Sequence, residues 1–330
     1  MEKYLHRCLK SLIITDERLF KRLDVLVVND GSKDSSSQIA HEYEDIYPDV
    51  FRVIDKENGN YGSCVNIGLK EAKGKYIKIL DADDFFNNDA LQRYVGVLQT
   101  VESDIIVTDF SIVDDNSNLI RTQTFHFPSE QILKVDNYCD NSEFLDPVGM
   151  HAITYRTSIL KEMGYVQTEG VSYTDQEWVF MPMIYTNMMV YYPLNLYQYL
   201  VGREGQTIDL KVASKQADTI KDLIMKRLYY YNSVKPHVDY AKKTLLKNKL
   251  MLNIMNFLHV GILNGLYDEN VLMAFDKELK NADSELYILS ENVPSATIHH
   301  FNYVKAWRTG SIFIPLLRVA LRIKNTYLSR

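Results

Sequence analysis

Three carboxylates within four positions, Asp81, Asp83 and Asp84, close an apolar run in the stretch KYIKILDADDFF (residues 75–86). Carboxylates this close repel one another, so a positive group must offset them. Asp81 and Asp83 lie two positions apart, and extended backbone projects such residues to the same side. A pair of this kind can hold a hard cation such as Mg2+ or Mn2+, which prefers oxygen ligands and often shares them with substrate phosphates. Asp84 can instead cap the helix that follows. The plain alternative is an acidic turn; a buried strand that delivers carboxylates to a ligand-binding edge favours the metal.

Two further clusters could serve the same edge. In NDGS (29–32), Asp30 can accept hydrogen bonds from a nucleobase or ribose and Gly31 permits a tight turn, although Asp-Gly-Ser is also a common strand-to-helix turn. In NGNYGSCVNIGLKEAKG (58–74), Gly59, Gly62 and Gly68 lead into and along a helix. Glycine near a helix start lets backbone N–H groups approach a phosphate. The spacing matches neither a P-loop nor a dinucleotide fingerprint, and an ordinary glycine-containing loop is the alternative.

Such groups must be brought together by a scaffold. In an open parallel α/β sheet, ligands sit beyond the carboxyl ends of the strands. Residues 2–14 have helical periodicity, with Tyr4, Leu5, Cys8, Leu9 and Leu12 on one side. Apolar strands are expected in DVLVVNDGS (24–32), FRVI (51–54), KYIKIL (75–80) and DIIVTDF (104–110), with helices at 33–47, 63–72 and 89–101. Strands apolar on both faces and separated by helices imply an α/β fold with a mostly parallel sheet covered on both sides. LIRTQTF (119–125) alternates and predicts an antiparallel excursion, while 188–200 predicts further strands or a strand pair. Beyond about residue 211 the pattern is helical, notably at 215–231 and 240–263, and the tyrosines at 229–231 read as packing residues. The expected division is a sheet domain over 1–210 and a helical region over 211–330.

At 330 residues, 46% hydrophobic and 24% charged, the chain has material for one large core or two domains. A net charge of −6 and a pI near 5.8 argue against a nucleic-acid partner. They leave phosphate-bearing ligands open, because a divalent metal can supply positive charge locally. Cys8, Cys64 and Cys139 are widely separated and read as small buried residues of a reducing compartment, the cytosol. No signal-peptide pattern is expected, and no apolar run reaches the roughly 18 residues of a membrane span. The nearest is SIFIPLLRVALRIK (311–324), interrupted by Arg318 and Arg322. It reads either as a helix docked by its apolar side or as an amphipathic basic helix resting on an anionic membrane surface.

Taken together and in order, VLVVNDGSKDSS, NGNYGSCVNIGLKEAKGKYIKILDADD and YTDQEWVF resemble the family 2 glycosyltransferases of GT-A fold. The resemblance runs over about the first two hundred residues. That family moves a sugar from a nucleoside diphosphate donor, usually with inversion at the anomeric carbon. The resemblance implies that Asp30 contacts the nucleoside, and that Asp81 and Asp83, with Ala82 between them, hold ribose, metal (Mn2+ or Mg2+) and diphosphate. It adds Gly31, Ser32, Asn60, Gly62 and Asn66 to the donor-binding set. It points to Asp175 as general base, with Glu177 the rival, since the family often carries an adjacent Glu-Asp pair and Thr174 stands in the glutamate's place. YQYLVGREGQT (197–207) is similar to a loop of bacterial members: Arg203 could reach the donor diphosphate and Gln206 the sugar or acceptor, against a plain surface turn. Trp178 and Phe180 read as core anchors, Trp178 with the option of stacking on a sugar. His151 could face the acceptor, and His299 and His300 read as surface or packing residues.

The implied chemistry is coherent. An inverting displacement needs a base on the acceptor hydroxyl, opposite the leaving diphosphate. A metal on the diphosphate acts as a Lewis acid, and the transition state is oxocarbenium-like. One departure stands out: members of the family open with a strand such as VSVIIPVYN, whereas here the helix MEKYLHRCLKSL comes first. The expectation is a sheet with a gap where its first strand belongs, Met1 being an internal methionine of a truncated or misassigned frame, and impaired donor binding.

The expected protein is therefore a metal-dependent, inverting glycosyltransferase at the cytoplasmic membrane face. It would use a UDP-sugar and a glycan or lipid-linked acceptor in cell-surface polysaccharide synthesis, with acceptor selection in 119–150 and the C-terminal helices. The alternative is a catalytically inactive GT-A-like scaffold whose open sheet edge takes a partner strand. A sugar nucleotidyltransferase is disfavoured, because no glycine- and arginine-rich triphosphate loop is found near the N-terminus.

Overall fold

The computed structural model describes residues 1–203, 212, 214–292 and 301–328. Two units, Met1–Glu204 and Gly205–Arg330, divide the chain. In the first, helix α1 (Glu2–Lys10) buries Leu5, Cys8 and Leu9, with Glu2 in its first turn and Arg7 and Lys10 in its last. That charge order complements the helix dipole. A single turn, α2 (Glu17–Phe20), starts at Asp16, whose carboxylate accepts from the N–H groups of Arg18 and Leu19. Strand β1 (Val25–Asp30), helix α3 (Ser36–Ile46), strand β2 (Phe51–Lys56) and helix α4 (Asn60–Glu71) follow. They continue into β3 (Tyr76–Ile77), β4 (Phe85–Phe86), α5 (Asn88–Leu98) and β5 (Ile105–Val113).

The remaining elements of this unit are β6 (Leu119–Gln123), β7 (Ile132–Lys134), α6 (Ser142–Leu145), β8 (Ile153–Arg156), α7 (Thr157–Glu162), α8 (Asp175–Trp178) and β9 (Met188–Leu200). The two longest ladders run parallel: β1 with β2 from Val25↔Phe51 to Asp30↔Lys56, and β5 with β9 from Ile105↔Met189 to Val113↔Leu200. Shorter antiparallel pairings add β3 to β8, β8 to β5, β6 to β5, β7 to β9 and β4 to β9. β5 lies at the centre with Ile105, Ile106 and Val107 fully enclosed, as a strand covered on both faces requires. The LIRTQ segment does turn back antiparallel on β5. Residues 188–200, by contrast, form one long strand rather than a pair, bent by register shifts opposite Thr108–Phe110.

The sheet is interrupted. β1 and β2 form a separate two-stranded piece, and β3 sits at the end of the larger one. Of the expected strand KYIKIL only Tyr76 and Ile77 join a ladder, with β8 on one side. Every residue of β1 is half-exposed, although Val25, Leu26, Val27 and Val28 have the composition of a doubly covered strand. The break corresponds to the gap expected from the resemblance.

The second unit is helical where described. Tyr240–Leu258 buries Leu245, Leu246, Leu250, Ile254 and Phe257, and it continues into a π-helical turn, His259–Leu263. A β-carbon on Gly261 in that turn would lie 2.3 Å from the Leu272 side chain, so the glycine permits close packing of Glu269–Ala282. Of the 229–231 tyrosines, Tyr231 is buried and Tyr229 is exposed. Gln206, His299 and His300 lie outside the described residues.

Candidate active site

β1 ends in Asp30, and β2 beside it ends in Lys56. The Lys56 ammonium donates to the Asp30 carboxylate and, at 2.9 Å, to Ser63 Oγ, while the Gly59 N–H donates to Asp30 Oδ1 at 2.8 Å. Burial works to raise the Asp30 carboxyl, but Lys56 and the Gly59 N–H outweigh it and hold it below the usual range. Gly31 has φ +69, and a β-carbon there would stand 3.0 Å from the Asn58 nitrogen, so both conformation and space call for glycine. The Ser32 N–H donates to Asn29 Oδ1 at 3.2 Å.

Helix α4 begins at Asn60, itself in the left-handed region with φ +66. A β-carbon on Gly62 would fall 1.8 Å from the Thr168 carbonyl oxygen, so only glycine lets α4 lie against the 167–169 segment. Asn66 closes the same junction. Its amide donates to the Gln167 carbonyl (2.9 Å) and Glu169 (2.8 Å) and accepts from the Gln167 N–H (2.8 Å). Gly62 and Asn66 are thus placed as fasteners between α4 and the segment that leads into α8.

The acidic edge lies beyond β3. Asp84 is buried, accepting from the Tyr197 hydroxyl at 2.6 Å and the Leu200 N–H at 2.7 Å. It ties the edge to β9 rather than capping α5, a task taken by Asn87, which accepts from the Ala90 N–H. Burial, followed by the charge of Asp81, pushes the Asp84 carboxyl up to about 8. Asp81 is pushed up to about 7 by desolvation and then by the charges of Asp83 and Asp175, against a hydrogen bond from the Tyr61 hydroxyl. Asp83 is paired: Arg203 Nε donates to its Oδ2 at 2.6 Å. Behind the edge, Arg7 donates to the Asp83 carbonyl at 3.0 Å and the Cys8 thiol approaches the Asp81 carbonyl at 3.7 Å. Ala82 lies between these anchored backbone positions.

α8 supplies Asp175 and Glu177. Glu177 is completely buried, and its two oxygens accept from the Thr168 N–H (2.7 Å) and hydroxyl (2.8 Å). Asp175 is half-exposed, near enough to Asp81 and Tyr61 for its charge to act on both. Trp178 is fully buried, edge-on to Tyr155 and Tyr165 at 5.3 and 5.6 Å, which makes it a core residue rather than a sugar platform. His151 lies among Tyr199, Tyr197 and Phe110 at ring distances of 4.2, 4.9 and 5.4 Å. Burial depresses its imidazole to about 3.

The fold thus brings Asp81, Asp83, Asp175 and Arg203 into one neighbourhood and sets Asp30 at the end of β1. Sequence reasoning missed Lys56, which pairs with Asp30 on the neighbouring strand, and Tyr61 and Tyr197, whose partners are distant in sequence. It also missed Lys78, although a lysine inside an otherwise apolar strand is a visible signal. Among the described residues no group of three or more His, Cys, Asp or Glu side chains is arranged to hold a metal. Asp81 and Asp83 still fit a hard cation that takes one or two carboxylates plus substrate phosphates. Burial, and after it the charges of Asp83 and Asp175, leaves Asp81 short of compensating charge.

Comparison with known proteins bears on the family and the fold. Residues 1–164 match the model of glycosyl transferase family 2. An uncharacterized glycosyltransferase of Mycoplasma pneumoniae, the MG025 homolog, is 40% identical over 110 residues, 33% of this chain and 35% of that protein. The glycosyltransferase GlyA of Streptococcus pneumoniae is 27% identical over 173 residues, 52% of this chain and 23% of that protein. The chain spans between 16% and 49% of the length of the first curated relatives it matches. S. aureus TarS 1–349 in complex with UDP-GlcNAc superposes with a TM-score of 0.64 at 18% identity, covering 94% of this chain and 89% of that one. The mannosyltransferase PcManGT from Pyrobaculum calidifontis, in complex with GDP-Man and Mn2+, gives 0.51 at 15% identity, with 100% and 84% covered. At these identities the likeness is one of fold, and the fold is GT-A.

Proposed function

Because this chain belongs to glycosyl transferase family 2, we propose that it transfers a sugar, with inversion, from a UDP-sugar to a glycan or lipid-linked acceptor in cell-surface polysaccharide synthesis. The observation that carries the reading is the meeting of Asp81, Asp83 and Asp175 at one end of the fold, with Glu177 withdrawn into the core. Asp30, at the end of β1, receives the nucleoside. A divalent ion shared by Asp81, Asp83 and the donor diphosphate would supply Lewis acidity to the leaving group. Asp175 takes the proton of the acceptor hydroxyl, which is then on the face opposite the departing diphosphate. Glu177 keeps the 168 segment in place and with it α8. That a neighbouring fold was crystallised with UDP-GlcNAc supports the choice of UDP.

The rival reading, an inactive scaffold, draws on the interrupted sheet. Calorimetry with UDP and UDP-sugars, with and without Mn2+, followed by a donor screen for diphosphate release, separates the two. Metal-dependent UDP binding supports the enzyme; no binding at millimolar donor, also in a chain extended by an apolar strand ahead of Met1, sinks it.

Peripheral membrane contact is part of the same proposal. Ile312, Phe313, Leu316 and Val319 are 77%, 60%, 62% and 56% exposed, at and near the start of the Phe313–Leu328 helix. Among the described residues no helix is long and apolar enough to cross a membrane. An apolar face beside basic residues suits an anionic surface instead. Flotation with phosphatidylglycerol vesicles should carry the protein upward and fail for Phe313→Asp/Leu316→Asp; equal flotation of both proteins would remove this contact from the proposal.

A further inference from the structure

The positive charge that the acidic edge calls for is present within the chain. Asp84 is held by the Tyr197 hydroxyl and the Leu200 N–H. Arg7 reaches a backbone carbonyl rather than a carboxylate. Arg203 reaches the Asp83 carboxylate itself, at 2.6 Å, and its charge also acts on Asp81. The pair stands at the rim of the site, the Arg203 side chain 27% exposed and that of Asp83 12%. Arg203 follows directly on β9 through Val201 and Gly202, the latter with φ +90.

With Arg203 on Asp83 Oδ2, a divalent ion on the other oxygen would face a like charge across one carboxylate, which weakens the hold of Asp83 on the metal. Resting on the nucleotide-sugar reading above, we propose that Arg203 is an exchangeable counter-ion. It neutralises Asp83 in the donor-free protein and leaves it for the donor diphosphate when the divalent ion arrives with the donor. Each partner gains by the exchange: the planar fork of arginine matches phosphate oxygens two at a time, and Asp83 trades a monovalent for a divalent partner. The device keeps the two carboxylates from binding metal strongly before a donor is present, so metal and donor enter together. No covalent bond is made or broken in the exchange; the guanidinium moves from Asp83 to the diphosphate and the divalent ion takes its place.

The test measures Mn2+ binding with no nucleotide, by the electron paramagnetic resonance signal of free Mn2+, and UDP binding at saturating Mn2+, by calorimetry. Wild type is compared with Arg203→Gln. Loss of one charge-assisted contact corresponds to about a tenfold change in each constant. The expected result is Mn2+ alone bound about tenfold more tightly by Arg203→Gln and UDP about tenfold more weakly. Arg203→Lys, which keeps the charge without the fork, should compete with Mn2+ nearly as wild type does and lose part of the UDP affinity; it carries the test should Arg203→Gln fail to fold. Unchanged or weaker Mn2+ binding by Arg203→Gln overturns the exchange while leaving the glycosyltransferase reading intact. Absence of Mn2+ binding in every protein, with and without UDP, overturns the exchange and the metal-dependent reading together.

Discussion

After β3 the chain presents Asp81, Asp83 and Asp84, and in α8 it presents Asp175 and Glu177. Both segments are short, acidic and brought to the same end of the fold, yet their carboxylates meet different fates. In α8 the division is simple: Glu177 is enclosed with both oxygens hydrogen-bonded to Thr168, and Asp175 is left half-exposed toward Asp81. After β3 it is graded. Asp84 is fixed by β9, Asp83 is matched by one arginine, and Asp81 is crowded by like charge. On the proposed reading, a structural acid differs from a ligand-facing one in what its oxygens already accept. A carboxylate whose two oxygens serve a backbone N–H and a hydroxyl is part of the frame. One compensated by a single rim side chain, as Asp83 is by Arg203, is the kind the proposal assigns to a ligand.

The α8 half of this contrast can be broken by exchanging its two acids for amides. Asp175→Asn should lower sugar transfer by about 100- to 10,000-fold, the usual worth of a positioned general base, with its melting temperature within a degree or two of wild type. Glu177→Gln should instead lose stability, by roughly 1–3 kcal/mol, because two charge-assisted bonds to Thr168 become neutral ones and the Thr168 hydroxyl must turn to accept from the amide NH2. Activity would follow only as the 168 segment loosens. Steady-state kinetics and thermal melting of the two variants decide it. A large kinetic loss in Glu177→Gln at an unchanged melting temperature would reverse the two roles.

Much of the frame was legible. Apolar runs stopped by polar turns located β1, β2 and β5, and alternation located β6. What escaped is what depends on a neighbour distant in sequence. KYIKIL reads as a full strand because its residues are apolar, but ladder bonds need partners, and only Tyr76 and Ile77 have them. Asp84 reads as a helix cap from its position, whereas the Leu200 N–H that claims it is 116 residues away. The Gly62 and Asn66 positions were visible as a motif, yet their use against 167–169 follows from a backbone approach that no local pattern encodes. The charge missing from DADD was likewise supplied by a residue 120 positions on.

A second cation tests how sharply the contrast is drawn. Lys78 lies on the chain between β3 and Asp81 but pairs with no carboxylate among the described residues: its ammonium donates to the carbonyls of His151 (2.7 Å) and Ile153 (3.2 Å). Burial alone pushes it down to about 7. Because the folded state gives up this proton well below the ordinary lysine range, the unfolded chain binds more protons from about pH 7 to 10.4, and stability rises with pH across that window. Below pH 7 the cost of burying the charge is present in full. The raised carboxyls of Asp81 and Asp84 act in the opposite sense up to about pH 8, so the lysine must be isolated by difference. Lys78→Met removes the titration and keeps the length of the side chain. The stability of the variant relative to wild type should therefore be highest near pH 6 and fall by roughly 4 kcal/mol by pH 10, read from denaturant unfolding at each pH. A difference that stays constant from pH 6 to 10 would mean that Lys78 titrates normally, reaches solvent or a carboxylate, and belongs with Arg203 among the cations available to the acidic edge.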